Sequence, residues 1–295
     1  TNDEWIYTRT GIHQRHIVTT ENTSDLASQV AQKIITKAGI SPESLDFIIV
    51  STMSPDSMSP STAAIVQANI GATNAFAFDL SAACSGFVYG LSVAASFLTT
   101  RYQRGLVIGA ETLSKLVDWQ DRTTAVLFGD GAAGVLVERT DQNIGLLSEE
   151  LRTFGAKGEN LVAGKFANTN PFSGEISPLD PYFHQNGREV YGFATREVPD
   201  ALQAALTQAN LSADDVDYYL LHQANSRIVS SIAKRFGQPI AKFPTNMEKH
   251  GNTSAASIGI LLDELLEAGT VRPGQTIALA GFGGGLTVGA QIWHI

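Results

Sequence analysis

Short apolar runs alternate along this chain with longer stretches in which apolar residues recur at helical spacing. The short runs have the length and composition of buried strands, and they lie at 46–53, 105–109, 218–221, 276–280 and 286–294. The longer stretches predict helices at 23–39, 62–70, 187–209, 224–236 and 254–268. Strands that alternate with helices indicate an α/β fold, with largely parallel sheets and helices on their faces.

The segment 75–98 joins a predicted strand to a predicted helix, and Cys84 lies at the junction. Its sequence is AFAFDLSAACSGFVYGLSVAASFL, with Val88, Leu91 and Ala95 at helical spacing. Cys84 is the single cysteine of the 295 residues, which excludes an intrachain disulfide. The N–H groups and partial positive charge of a helix N-terminus favour a thiolate, which predicts a reactive residue. A buried structural cysteine is the alternative.

Two regions between the clear elements have less regular patterns. Residues 124–139 predict a pair of strands around the sequence Gly129-Asp130-Gly131. Residues 151–186 are rich in Gly, Asn, Pro and Ser and have weak periodicity. This composition indicates a loop-rich excursion that covers or connects larger units, rather than a domain of its own.

The chain also contains an internal echo. The sequence AGISPESLDFIIVS at 38–51 matches ANLSADDVDYYLLH at 209–222, at an offset of 171 residues (209 − 38). The same offset places Cys84 opposite Ala255, and each half ends in a strand, a glycine turn and a strand. These correspondences predict two duplicated βαβ-type halves that face each other. The predicted halves are 1–145 and 146–295.

Polar side chains at strand ends are the candidates for chemistry, because open α/β folds place their sites at the C-terminal ends of parallel strands. Cys84 follows one predicted strand, and His222 ends the buried run YYLLH. Asn252 lies in HGNTSAAS, the turn that echoes the Cys84 turn. We expect these three side chains to converge if the two halves are related by a pseudo-twofold axis. His250 is the rival histidine, because it is close to Asn252 in sequence.

The glycine run GFGGG at 281–285 leads into a predicted strand. Dinucleotide phosphate loops open a helix instead, which argues against that kind of site. Two interpretations remain open: a tight hairpin, and a close backbone approach to a substrate with N–H groups free to form an oxyanion hole.

Charge and composition limit the partners. The net charge of −9, from 20 basic and 29 acidic residues, argues against nucleic acid. We find no signal peptide and no apolar run long enough to span a membrane, so no membrane association is expected. One cysteine excludes a Cys-rich zinc site and fits a reducing cytoplasm, which is the predicted location.

Four motifs, in this order and spacing, resemble β-ketoacyl-acyl carrier protein synthase III of bacterial type II fatty acid synthesis: LSAACSGFVYGL, HQANSRI, KHGNTSAAS and GFGGGLTVG. The resemblance covers nearly the whole chain. It implies the thiolase fold, with two duplicated halves in a five-layer α-β-α-β-α arrangement, and a homodimer. It also implies an acyltransferase that needs no cofactor or metal, because acyl-CoA is a substrate.

The resemblance assigns roles to individual residues. Cys84 is the implied nucleophile, with His222 and Asn252 as its partners, and the N–H groups of Cys84 and Gly284 form the implied oxyanion hole. The implied CoA-binding residues are Trp5, Arg9, Arg122 and Asn225. Phe282 is the implied wall of the acyl channel.

The implied reaction is a decarboxylating Claisen condensation that begins fatty acid synthesis. A short acyl-CoA primer acylates Cys84, and malonyl-acyl carrier protein then loses carbon dioxide and attacks this acyl group to give a 3-oxoacyl product. A related Cys-His-Asn enzyme of polyketide or secondary metabolism, with another primer or extender, is the alternative. Chain-elongating synthases have Cys-His-His instead. This alternative stays open because His250 could supply the second histidine. A non-catalytic acyl-binding protein is the alternative from a different class.

The helix predicted at 224–236 has an apolar face and a separate basic face. Arg227, Lys234 and Arg235 lie at i, i+7 and i+8 and share that basic face. A solvated helix surface is the simpler interpretation. On a chain of net charge −9, we favour a docking site for the acidic carrier protein.

The primer is not defined by the sequence. Residues 51–62 resemble a family loop that reaches the acyl pocket of the partner subunit, and Met58 and Ser59 stand where the family often has a bulky aromatic residue. Straight, branched and longer primers all remain open. The family also has a strand and loop ahead of DEWIYTRTGI, so we expect a further strand upstream of Thr1.

Overall fold

The computed structural model of this chain describes residues 1–166, 170–172, 174 and 179–295. Within these residues the α-helices are α1 (Asp3–Thr10), α2 (Thr23–Ala38), α3 (Thr62–Ile70), α4 (Gly86–Leu98), α5 (Gly187–Ala209), α6 (Ser226–Phe236), α7 (Met247–His250) and α8 (Ser257–Glu267). The strands are β1 (Phe47–Ser51), β2 (Phe76–Leu80), β3 (Arg104–Glu111), β4 (Gly131–Glu138), β5 (Gly145–Thr153), β6 (Leu161–Val162), β7 (His184–Gln185), β8 (Tyr218–Leu221), β9 (Thr276–Gly283) and β10 (Thr287–His294). The bounds of α3, α5 and β8 are those predicted.

Two four-stranded sheets form the framework, with the strand orders β2-β1-β3-β4 and β5-β10-β9-β8. β1 is parallel to β2 and β3, and β8 is parallel to β9. β4 and β10 run antiparallel to their neighbours. The prediction of largely parallel sheets is therefore confirmed for the first sheet, where two of three pairings are parallel, and wrong for the second, where two of three are antiparallel. β9 and β10 form a hairpin across the short turn 284–286, and a hairpin can join only antiparallel strands.

Six of the helices named above form three pairs, an outer pair on each sheet and a pair between the sheets. α2 and α3 pack on one sheet through the cluster that contains Ala31, Val66 and Ile108. α5 and α6 cover the other sheet. α4 and α8 are in the middle, where Val88 and Leu261 belong to one apolar cluster with strands of both sheets. The five-layer α-β-α-β-α arrangement is therefore confirmed, and the two central helices are apolar because both sheets cover them.

Corresponding elements of the two halves begin and end at equivalent positions. α2 and α5 are followed by the left-handed residues Gly39 (φ 64°) and Asn210 (φ 56°), which end both helices in the same way. β1 begins at Phe47 and β8 at Tyr218, which repeats the offset seen in the sequence. We propose the boundary between the halves just before β5, close to the predicted division at residue 145.

Three details differ from the sequence-based expectations. Only the second part of 124–139 is a strand, β4, because residues 124–127 form a turn with Leu127 N–H bonded to Thr124 O. The first three residues of the loop-rich segment 151–186 belong to β5, which pairs with β10. Helix α1 was not predicted; Asn2 caps it by accepting from Trp5 N–H. Among the described residues, no helix is both long and apolar enough to cross a bilayer.

Candidate active site

A cavity of about 1380 Å³ receives residues from both halves of the chain. The predicted site residues that line it are Cys84, His222, Asn252, Asn225, Phe282 and Gly284. The structure therefore brings together the three strand-end and turn residues chosen from the echo. Trp5, Arg9, Arg122 and the three basic residues of α6 are not among the lining residues.

Cys84 lies in the 3-10 turn Ala83–Ser85 that connects β2 to α4. Ala83 has a left-handed conformation (φ 45°), which is uncommon for residues other than glycine, asparagine and aspartate. A Cβ atom at Gly283 would lie 2.8 Å from Cys84 Cβ and 3.0 Å from Sγ. Glycine at the end of β9 therefore allows the second sheet to approach the thiol closely.

The glycine run that contains Gly283 is a hairpin and also a close backbone approach. β9 extends through Gly283 and β10 begins at Thr287. A Cβ atom at Gly284 would lie 3.2 Å from Ala83 Cβ, so the hairpin backbone packs directly on the Cys84 turn. The hairpin interpretation is confirmed, and the oxyanion hole stays a prediction.

Burial controls the acidity of Cys84. Its exposed fraction is 6%, and burial raises the pKa of the thiol to about 12. The Ser254 hydroxyl acts in the opposite direction, and the Glu111 carboxylate raises the pKa further. Burial therefore acts against the thiolate that the helix N-terminus was predicted to favour, because it removes the hydration of the charged form. A nucleophilic Cys84 therefore needs a group that accepts its proton.

His222 follows β8, and its backbone N–H donates to Ala280 O over 2.8 Å. Burial lowers the pKa of the imidazole to about 3, so the ring is neutral. Nδ1 lies 2.7 Å from Ser257 Oγ, and the ring meets the edge of Phe282 with centroids 5.1 Å apart. A neutral ring whose Nδ1 is occupied has Nε2 available to the cavity.

Asn252 is held by its backbone and by one side-chain atom. Its N–H donates to Leu127 O over 2.9 Å, and its carbonyl accepts from Gly129 N–H over 3.0 Å. Oδ1 accepts from Ser254 N–H over 2.9 Å, which fixes the orientation of the amide. Nδ2 has no hydrogen-bond partner among the described residues, so its two N–H groups are free to donate to a ligand.

The rival histidine lies elsewhere. His250 Nε2 is 2.7 Å from Glu264 Oε1, and the ring packs beside His16 with centroids 5.4 Å apart. His250 is not among the residues that line the cavity. The third polar residue of the cavity is therefore Asn252, as in the Cys-His-Asn pattern, and not a second histidine.

Two arginines stack on the ring of Trp5, which lies on α1. The guanidinium carbon of Arg9 lies 4.4 Å from the ring centroid, and that of Arg122 lies 5.1 Å from it. Asn225 connects this group to α6, because its Nδ2 donates to Arg9 O over 3.0 Å and its Oδ1 accepts from Arg227 N–H over 2.9 Å. The four predicted CoA-binding residues thus form one continuous surface that reaches the cavity through Asn225.

The three basic side chains of α6 are exposed, and two of them have partners. Arg227 Nη2 donates to Thr8 O at the end of α1 over 2.7 Å. Arg235 forms an ion pair with Asp200 on α5 at 3.5 Å. Lys234 has no ion pair among the described residues. The basic face predicted from the sequence is present, and Arg227 also connects it to the α1 surface.

Sequence reasoning missed three polar residues close to the cavity. Ser257 orients His222, Ser254 fixes Asn252, and Glu111 is fully buried at the end of β3. The offset of 171 residues could have identified Ser254, because it is the counterpart of Ala83. Glu111 ends an apolar run just as His222 does, so the strand-end criterion could have found it as well.

Comparison with known proteins decides the family. The model for 3-oxoacyl-[acyl-carrier-protein] synthase III matches residues 78–155, and the model for its C-terminal part matches residues 206–295. The β-ketoacyl-[acyl-carrier-protein] synthase III of Limosilactobacillus reuteri is 54% identical over 294 residues, which cover 99% of this chain and 90% of the relative. The chain belongs to the β-ketoacyl-acyl carrier protein synthase III family.

Other synthase III proteins give the same result. The protein of Lactococcus lactis is 55% identical over 298 residues, with 100% of this chain and 91% of the relative covered. The crystal structure of the Aquifex aeolicus synthase III superposes with a TM-score of 0.92 at 41% identity, and covers 100% of this chain and 92% of that one. The thiolase-like fold is confirmed, and synthase III is favoured over the polyketide alternative.

Proposed function

We propose that Cys84, His222 and Asn252 carry the reaction of this synthase III. The protein is an acyltransferase that condenses an acyl-CoA primer with malonyl-acyl carrier protein and so initiates fatty acid synthesis. The observation that supports the assignment of residues is that these three side chains, from distant parts of the sequence, line one cavity.

In the first half-reaction the Cys84 thiolate attacks the primer thioester. The new acyl–sulfur bond forms as the bond to the CoA sulfur breaks. The backbone N–H groups of Cys84 and Gly284 stabilise the oxyanion, which the close packing of the hairpin on the Ala83–Ser85 turn supports. Phe282 supplies an apolar wall of the channel.

In the second half-reaction malonyl-acyl carrier protein loses carbon dioxide and leaves an enolate. Nε2 of His222 and Nδ2 of Asn252 donate to the enolate oxygen. The Ser257 hydroxyl accepts a hydrogen bond from Gln223 N–H over 3.4 Å, so the hydroxyl proton of Ser257 points to Nδ1 of His222. Nδ1 is then the acceptor, and the ring carries its N–H at Nε2. The carbanion then attacks the acyl group on Cys84 and expels the thiolate.

The test of this assignment is acylation of a named residue. Incubation with acetyl-CoA should add the mass of one acetyl group to the peptide that contains Cys84, and malonyl-acyl carrier protein should remove it. A panel of straight and branched primers in the same assay would then define the primer. A folded protein that carries no adduct would support the non-catalytic acyl-binding alternative.

For the CoA end, we propose that the adenine inserts beside Trp5 between the two arginines. Arg9 and Arg122 already stack on this ring, so a planar base can replace one of those contacts. Arg9 can also bind a phosphate through two N–H groups. Trp5→Ala should raise KM for acyl-CoA and leave KM for malonyl-acyl carrier protein unchanged.

For the carrier protein, we propose docking on the basic face of α6. Arg227→Glu should raise KM for malonyl-acyl carrier protein much more than KM for acyl-CoA, because it reverses charge on a surface that steers an acidic partner. Arg227 also holds α1, so Lys234→Glu is the cleaner matched variant. Equal increases in both KM values for Lys234→Glu would contradict docking at this face.

We propose a homodimer that forms along β2. This strand is at the edge of its sheet, with one side unpaired among the described strands. Phe76 is 37% exposed there and packs with Phe78, Phe97 and Tyr102. An unpaired strand edge with an exposed aromatic side chain is more stable against a second copy of the chain than in contact with water. Light scattering should give a dimer, and Phe76→Lys should shift it towards monomer.

We also propose a cytoplasmic location, without a required cofactor or metal. The support is chemical: Cys84 is free and must stay reduced in order to accept an acyl group, which fits a reducing compartment. Cysteine, histidine and asparagine are sufficient for the proposed steps, because the enolate is stabilised by two N–H donors. Full activity after treatment with a chelator would support a reaction that requires no metal.

A further inference from the structure

Glu111 is a fully buried carboxyl group that the steps above do not use. It is the last residue of β3, and its exposed fraction is 0%. Oε2 accepts from Ser54 Oγ over 2.6 Å, from Thr52 Oγ1 over 3.1 Å and from Met53 N–H over 3.1 Å. Oε1 has a single bond of 3.3 Å, to Met53 N–H, so it keeps capacity for another donor.

Ser254 belongs to a turn that packs near both this carboxyl and the thiol of Cys84. Its hydroxyl is buried and has no hydrogen-bond partner of good geometry among the described residues. It is nevertheless close enough to both acidic groups to lower the pKa of Cys84 and the pKa of Glu111. A buried hydroxyl costs free energy unless it is paired, and a hydroxyl can donate to one group while it accepts from another.

The backbone supports this placement. A Cβ atom at Gly109 on β3 would lie 2.3 Å from Ala255 O, so the end of β3 packs directly on the turn Ser254–Ala256. Gly86, at the start of α4, would bring a Cβ atom within 3.4 Å of Ala255 Cβ. The turn that carries Ser254 therefore touches both the strand that ends in Glu111 and the segment that carries Cys84.

The thiol proton has few possible acceptors. Burial lowers the pKa of His222 to about 3, which makes its ring a poor base. Burial raises the pKa of Glu111 to about 7, which suits a group that takes and returns a proton near neutrality. Within the described chain, Glu111 is the charged group that acts on the thiol.

We propose that Glu111 stores the Cys84 proton during the catalytic cycle and that the Ser254 hydroxyl transfers it. As Sγ attacks the primer, the S–H proton moves to Ser254 Oγ while the Ser254 proton moves to Glu111, and CoA leaves as a thiolate that takes a proton from solvent. When the condensation expels the Cys84 thiolate, the same path runs in reverse. The site then holds one negative charge at a time, where a thiolate beside a carboxylate would hold two.

The experiment measures formation of acyl-Cys84 from acetyl-CoA by rapid quench and mass spectrometry between pH 6 and pH 9. Glu111→Gln and Ser254→Ala should each slow acylation at pH 7 by about 100-fold, which is the scale of proton-transfer catalysis, and the double variant should be no slower. The wild-type rate should rise with pH as Glu111 ionises, and this rise should disappear in Glu111→Gln. Alanine is tolerated at this backbone conformation, since Ala83 has φ 45° and Ser254 has φ 48°.

Alkylation by iodoacetamide separates this proposal from a simple charge effect. Removal of the Glu111 charge should lower the pH midpoint of Cys84 alkylation, because a like charge is lost. If Glu111→Gln acylated as fast as the wild type or faster, Glu111 would act only as a charge and the proposal would be overturned. If Glu111→Gln failed to fold, Ser254→Ala alone would decide, and a wild-type acylation rate would overturn the proposal.

Thr23→Val is the matched control. Thr23 Oγ1 is within 2.5 Å of Ser54 O and 2.7 Å of Thr112 Oγ1, so this change disturbs the same polar cluster without touching the carboxyl. Acylation within about threefold of the wild type is expected, and a 100-fold loss would mean that packing alone explains the effect. The proposal depends on the role of Cys84 as acyl acceptor: a wild type without any adduct contradicts that role, whereas a slow adduct in the variants does not.

Discussion

The turn that carries Cys84 and the turn that carries Ser254 have the same backbone and opposite chemistry. Ala83 and Ser254 are equivalent, with φ values of 45° and 48°, and each begins a 3-10 turn that leads into a central helix. In each case a strand end from the other half packs on the turn: Gly283 on the first, and β3 with Glu111 on the second. The duplication thus supplies two similar turns at one cavity.

The difference lies in the side chains. The first turn carries the thiol and meets a glycine, so the nucleophile has an apolar neighbour and room for an acyl group. The second turn has the apolar Ala255 where the first has Cys84, and its polar groups, Asn252 and Ser254, precede this alanine in the chain. In the proposed mechanism, one copy of the duplicated turn therefore provides covalent chemistry, and the other provides hydrogen-bond donors.

Replacement of the Cys84 thiol is the strongest test of the proposed division of roles between the two turns. Cys84→Ala should lower kcat by roughly 10⁴-fold or more, because it removes the nucleophile while the second turn stays intact. Cys84→Ser keeps the shape of the side chain with a poorer nucleophile and should be nearly as inactive. Circular dichroism and thermal unfolding should match the wild type. Acyl-enzyme formation in Cys84→Ala would contradict the assignment of Cys84 to covalent chemistry.

The two halves should also respond to pH in opposite directions. The pKa of His222 is lowered from 6.5 to about 3, so the unfolded chain binds more protons, and stability should fall as pH drops from 6.5 towards 3. The pKa of Glu111 is raised from 4.5 to about 7, so stability should fall as pH rises from 4.5 to 7. The loss of stability from His222 amounts to roughly 5 kcal/mol once the pH lies below both pKa values.

Urea unfolding at a series of pH values would separate the two contributions. His222→Gln should flatten the acid side of the stability curve, and Glu111→Gln should flatten the slope between pH 4.5 and 7. Slopes that do not change in either variant would show that these groups titrate normally in the folded protein.

The next largest effect on the rate is expected when a hydrogen-bond donor near the second turn is removed. Asn252→Ala should lower the rate of condensation by roughly 10²- to 10³-fold, since one donor to the enolate oxygen is worth about 3–4 kcal/mol. Acylation of Cys84, measured by mass spectrometry, should stay within a few-fold of the wild type. Asn252→Asp keeps the Oδ1 acceptor for Ser254 N–H and loses the donor, so it should show the same split. Retained condensation in Asn252→Asp would exclude the donor role.

Much of the fold and part of the site could be predicted, because both depend on local pattern. The apolar periodicity gave α3, α5 and β8, and the repeat at a fixed offset predicted that Cys84 and Asn252 would meet. The pKa values of the buried groups could not be predicted from local sequence pattern. The pKa of Cys84 depends on its burial in the folded chain and on Ser254 and Glu111, which come from distant parts of the sequence. The pKa of Glu111 likewise depends on burial and on hydrogen bonds from Thr52, Ser54 and Ser254.

Two glycines that pack on these turns, one from each half, give the mildest test of the comparison. A Cβ atom at Gly109 would lie 2.3 Å from the backbone oxygen of Ala255, whereas one at Gly283 would meet the side chain of Cys84 at 2.8 Å. A carbonyl in a packed turn cannot move aside, so Gly109→Ala should cost about 3 kcal/mol of stability, and Gly283→Ala only about 1–2 kcal/mol. Gly283→Ala should still slow acylation about tenfold, because it displaces the thiol from its attacking position.

Gly192→Ala on α5 is the matched control for both variants. A Cβ atom there meets nothing within 4 Å, and alanine favours a helix by about 0.5–1 kcal/mol, so this variant should be slightly stabilised with unchanged acylation. Equal loss of stability in Gly109→Ala and Gly283→Ala, or a normal acylation rate in Gly283→Ala, would show that the two strand ends press on their turns in the same way. In that case the difference between the turns would lie in their side chains alone, and the approach of β9 to the thiol would not contribute to its reactivity.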